Sequence, residues 1–69
     1  MEEIMRYQLR LIRIRKGVSL DTASKEMGIA LSTLTHIELG KRPGNITIWK
    51  KIQNYYNIPT DNMWNIINE

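Results

Sequence analysis

The sequence predicts an all-α fold, a compact domain of five short helices. Three observations predict it. Apolar residues recur at three- and four-residue spacing along the chain, glycines stand where those runs stop, and no stretch alternates apolar with polar residues as a strand would. Sixty-nine residues without a cysteine leave room for one domain, 1–69, with a small core and no disulfide or thiolate metal site to staple it. The single histidine cannot build a zinc site alone. Stability then has to come from helix packing, helped by oligomerisation.

The first helix is expected from about Glu2 to Lys16, stopping at Gly17. Glu2 and Glu3 suit the positive end of its dipole. Met5, Leu9 and Ile12 share one face and are assigned to the core, with Arg6, Arg10 and Arg13 as an adjacent basic stripe. Ile4, Tyr7, Leu11 and Ile14 form a second apolar stripe, nearly opposite the first. A surface helix of a small monomer does not normally carry two apolar faces. Two arrangements would cover the second one. The last helix could fold back over it within one chain, or it could meet a second copy or a protein partner.

Ser19 can cap a second helix, Leu20–Met27, in which Ala23 and Met27 lie one turn apart. Gly28 closes it and Ile29 follows as an apolar plug. A third helix, Leu31–Leu39, buries Leu34 and Ile37 and ends at Gly40. Two short helices joined by a glycine-containing turn make a helix-turn-helix unit, about 19–40. Asn45 can cap a fourth helix ending near Tyr56, with Ile48 or Trp49, Ile52 and Tyr56 inward. Asn57-Ile58-Pro59 breaks it, and a last helix from Thr60 to about Ile67 offers Met63, Trp64 and Ile67 for packing.

The net charge of +3 and the pI near 9.5 favour a polyanionic partner. The excess is uneven, since Arg6, Arg10, Arg13, Arg15 and Lys16 crowd the first helix. No apolar run approaches a membrane span and no signal-peptide pattern opens the chain, so a cytoplasmic protein without membrane contact is expected. No nucleophile stands with a plausible His/Asp partner, and neither a glycine-rich phosphate loop nor a metal cluster is present in the sequence. The reading is therefore of a non-enzyme without a cofactor.

At Leu9, Arg13, Gly17, Ser19, Gly28, Thr33-Leu34, Ile37-Glu38, Gly40-Lys41, Pro43 and Asn57-Ile58 the chain resembles the phage repressor/Cro-type (XRE) helix-turn-helix regulators. The resemblance runs from about Leu9 to Trp64. It implies a lambda-repressor-like domain whose third helix enters the DNA major groove, which puts Leu31, Ser32, Thr35 and His36 on the base-reading face. Leu31 stands where the family commonly carries a polar reader, and a leucine there can pack on a thymine methyl. Ala30 stands where a Ser or Thr usually caps that helix. A solvated surface histidine is the plainer reading of His36.

Phosphate contacts are expected from Ser19 and Leu20 at the second helix N-terminus, and from Lys41, Arg42 and Arg10. The resemblance also places Arg13 and Glu38 as a partly buried ion pair tying the first helix to the end of the third. Together these expectations describe a transcriptional regulator on double-stranded DNA, acting as a homodimer on a two-fold-related operator. Two alternatives keep the fold: a protein-interaction module without readout, to which Ala30, Leu31 and Leu39 point, and the DNA-binding antitoxin of a toxin pair.

Overall fold

A computed structural model describes residues 5–68. In order, the helices are α1 (Tyr7–Lys16), α2 (Leu20–Met27), α3 (Leu31–Glu38), α4 (Ile46–Tyr56) and α5 (Thr60–Ile67). There is no strand among the described residues. No helix there is long and apolar enough to cross a membrane.

Local signals set the helix ends. The Ser19 hydroxyl accepts from the Thr22 amide at 3.1 Å and the Asn45 side chain accepts from the Ile48 amide at 2.9 Å, each occupying an otherwise unpaired first-turn donor. Gly28 ends α2 at φ +76°, in the left-handed region where a Cβ is penalised. Its amide and that of Ile29 turn back to the last-turn carbonyls of α2. Asn57 takes the same region at the end of α4, with φ +59°. α3 starts without a side-chain cap, because Ala30 has nothing to offer; such a loss costs about 1 kcal/mol.

α1 packs on α3 and α4, and α2 on α3 and α4. Leu9, Ala23, Leu34, Ile37 and Ile52 are fully enclosed between them, with Trp49, Tyr56, Ile58, Met63 and Ile66 completing the core. Of the two candidates on α4, Trp49 is the buried one and Ile48 only packs at the margin. Trp49 also donates from Nε1 to the Pro43 carbonyl at 2.7 Å, which holds the turn before α4 against the core. Ile12 is half-buried beside Leu9. Around the other end of α1, Lys16 lies over the Tyr55 ring at 4.8 Å, and the Tyr55 hydroxyl donates to Glu26 of α2.

Four expectations need correction. α1 starts at Tyr7, not near Glu2: Met5 and Arg6 are not helical, and Arg6 has ψ +83°. Residues 1–4, with Glu2, Glu3 and Ile4, lie outside the described residues. Arg6 does not belong to a surface stripe but is buried, since the non-helical backbone before α1 turns it inward toward helix-end carbonyls. The third helix ends at Glu38, with Leu39 as its cap.

The last correction concerns α5. It buries Met63 and Ile66 with Ile67 at the margin, while Trp64 is 72% exposed. The helix is rotated so that Ile66, not Trp64, faces the core. It does not fold over the second stripe of α1, where Tyr7, Leu11 and Ile14 remain 55%, 51% and 51% exposed.

Candidate nucleic-acid interface

α3 is held by its inner side. Leu34 and Ile37 are fully enclosed, so helical periodicity turns Leu31 and Ser32 outward, and both are exposed. Thr35 and His36 follow on the same side and are half-buried. The His36 ring is seated rather than loose: its Nδ1 is buried and has no hydrogen-bond partner among the described residues. This leaves Nε2 as the nitrogen that can serve a ligand. An outward face of one leucine, two hydroxyls and an imidazole can make one apolar contact and several adaptable hydrogen bonds.

The α2 N-terminus contributes a second element. The amide of Thr22 is taken by Ser19, and the Ser19 hydroxyl donates to Thr22 Oγ1 at 3.1 Å. The amides of Leu20 and Asp21 are not used in this cap, and they are donors that a phosphate could take. Leu20 itself packs on the core, which fixes where its amide points. Asp21 opposes an anion there, and its carboxylate is engaged by Lys25 at 3.2 Å.

Past α3 the backbone is pinned, while the side chains are left out. The amides of Lys41 and Arg42 donate to the His36 carbonyl at 2.8 and 3.3 Å, and the Arg42 carbonyl accepts from Arg6 Nη1 at 2.9 Å. The Lys41 and Arg42 side chains are exposed and form no ion pair among the described residues. Arg10 is exposed on α1, its guanidinium 3.7 Å from the Met5 sulfur.

Arg13 and Glu38 bind as a fork. Arg13 Nε donates to Glu38 Oε1 at 2.8 Å and Nη2 to Oε2 at 3.2 Å, while Nη1 donates to the Val18 carbonyl at 2.9 Å. The side chains are 14% and 6% exposed. The hydrogen bond to Glu38 holds the Arg13 pKa above its ordinary value, against the opposing effect of burial. This pair joins α1 to the end of α3 and to the turn before α2, so it sets the angle at which α3 is presented. Tyr56 lies nearby with its hydroxyl buried and unpartnered among the described residues. Burial first, and the charge of Glu38 second, push its pKa well above the ordinary tyrosine value.

Arg6, which helical periodicity put on a surface stripe, is buried and supports this face from behind. Its Nη1 donates to the carbonyls of Ile37 at 2.6 Å and Arg42 at 2.9 Å, and Nε and Nη2 to that of Ile67 at 3.3 and 3.2 Å. Its guanidinium also lies 5.2 Å from the Trp49 ring centre. One cation thus occupies the negative ends of α3 and α5 together. Periodicity gave no signal for this, because Arg6 precedes the helix.

A helix-turn-helix held by its inner face, with exposed and half-buried polar groups on the second helix and exposed basic side chains after it, belongs to a class: the DNA-binding helix-turn-helix regulators. The family model described as helix-turn-helix matches residues 9–62, and the chain belongs to that XRE-type family. No curated protein and no solved structure matches the chain.

Proposed function

We propose that this chain is a sequence-specific regulator of transcription that reads the major groove of double-stranded DNA with α3. The observation that carries the reading is the outward face of α3. Leu31 and Ser32 are exposed and Thr35 and His36 half-buried along the side of the helix opposite Leu34 and Ile37, by which the core grips it. Leu31 packs on a thymine methyl, Ser32 and Thr35 adapt to several base edges, and His36 contacts a base edge or a phosphate. Ser19 and Leu20 at the α2 N-terminus, with Lys41, Arg42 and Arg10, grip phosphates; these contacts set position and salt dependence but not sequence.

The chain acts as a homodimer on two-fold-related half-sites in the cytoplasm. An eight-residue helix is about 12 Å long and reaches only a few base pairs. A specificity gap of roughly 4–10 kcal/mol is then more readily built from two half-sites than from one. The interaction-module reading draws on Leu31, an exposed apolar residue on the reading face.

Selection from random duplex DNA, followed by titration at several salt concentrations, tests the proposal. Replacing Thr35 and His36 with Ala should relax the selected sequence, whereas Lys41→Ala should weaken all duplexes alike and lower the salt slope by about one unit. No duplex binding at low salt would reject it in favour of the interaction module. Unchanged selection by the Thr35 and His36 variants would remove α3 as the reader.

A further inference from the structure

Tyr7, Leu11 and Ile14 lie at i, i+4 and i+7 on α1 and are each half-exposed. At 100° per residue they span roughly 60° of arc, centred nearly opposite the buried Leu9. That spacing is the four–three alternation of a coiled-coil seam. It is narrower than the apolar face of a helix that lies in a membrane surface or a core, which is about 100° or more.

Along α1 the flanks of the seam are of one sign. Arg10 borders it on one side and Arg15 on the other, and α1 contains no acidic residue. Two copies joined through this seam would bring arginine against arginine whether the helices ran parallel or antiparallel. Among the described residues the three half-exposed side chains present on the order of 300 Å², so two copies would bury about 600 Å² through them, half of the roughly 1,200 Å² at which stable interfaces begin. Charge and area both disfavour a second copy.

We infer that the Tyr7–Leu11–Ile14 face of α1 docks an amphipathic helix of another protein, with apolar residues along its seam and acidic residues beside them. Acidic flanks add Arg10 and Arg15 to the contact as partners, which enlarges the buried area beyond the apolar seam. The apolar seam lies on the side of α1 turned away from α3 and α4, opposite the buried Leu9. Arg10 is shared with the phosphate contacts of the proposed function, whereas Arg15 is not, so Arg15→Glu alone should weaken binding of the acidic helix and leave duplex binding as it is.

Two synthetic helical peptides test it, both with leucine at the seam positions, one flanked by glutamate and one by lysine. Fluorescence anisotropy with the full chain should show the glutamate-flanked peptide binding at least roughly tenfold more tightly than the other. Leu11→Ser combined with Ile14→Ser should abolish that binding while circular dichroism shows helicity retained. Arg10→Glu with Arg15→Glu, both on the surface, should invert the preference and keeps the test valid if the serine variant unfolds. Equal affinity for the two peptides, binding of neither, or binding indifferent to these substitutions would overturn the inference. So would a dimer in sedimentation equilibrium that Leu11→Ser dissociates, which makes a second copy the occupant. Binding to vesicles of phosphatidylcholine and phosphatidylglycerol that is lost in the same variant would make it a membrane.

Discussion

The Arg6 guanidinium and the Ile37 carbonyl stand 2.6 Å apart in the interior, joining the start of α1 to the last turn of α3. Helix-end carbonyls lack intrahelical partners, and a planar cation with five donors can serve several of them together. Arg6 does so for α3, for the turn at Arg42 and for α5.

Arg6→Met should therefore destabilise the chain by about 3 kcal/mol in urea unfolding, because buried carbonyls lose a charged donor. Arg6→Lys should recover less than half of that loss, since an ammonium has no fork to span three carbonyls. Full recovery by lysine would show that charge alone is needed there.

The Arg13–Glu38 fork and the Asp21–Lys25 pair differ in burial, and their energies should differ with it. A double-mutant cycle on Arg13 and Glu38 should give a coupling of about 2 kcal/mol. The same cycle on the exposed pair, at 3.2 Å along α2, should give about 0.5 kcal/mol or less. Equal values would mean that the fork is no better than a surface bridge.

Tyr56 carries a hydroxyl without a partner among the described residues, so removing it should cost nothing. Tyr56→Phe is expected to leave stability at pH 7 unchanged or raise it by up to about 1 kcal/mol. The folded chain holds the Tyr56 proton to higher pH than the unfolded chain does. That contribution is complete below the ordinary tyrosine value of about 10 and declines as pH rises beyond it. Thermal melts at alkaline pH should thus fall less steeply for Tyr56→Phe than for the parent chain.

Gly44 and Gly17 both have positive φ, yet only one is crowded. A Cβ on Gly44 would stand 2.7 Å from Trp49 Nε1, whereas one on Gly17 would meet nothing within 4 Å. Gly17→Ala should cost about 1 kcal/mol, the backbone term alone. Gly44→Ala should cost more, about 2–3 kcal/mol, with a red shift in fluorescence as Trp49 is displaced from the core. Equal losses would show that the turn yields without disturbing Trp49.

The sequence by itself determined the helices and most of their limits. Ser19, Gly28, Asn45 and Asn57 act on amides or dihedrals within a few residues of themselves, so their effect does not depend on the rest of the chain. The outward direction of Leu31 and Ser32 was legible for the same reason, because Leu34 and Ile37 supply the period that turns them out. Tertiary structure alone decided that Arg6 is interior, that Ile66 and not Trp64 faces the core, and that the Tyr56 hydroxyl is stranded. Arg6 reaches carbonyls 31 and 61 positions away, and no periodicity within one helix encodes a partner at such a distance. Trp64 and Ile66 were both apolar enough to be buried; the rotation of α5 against its neighbours chose between them, since only one side of an eight-residue helix can face a core this small.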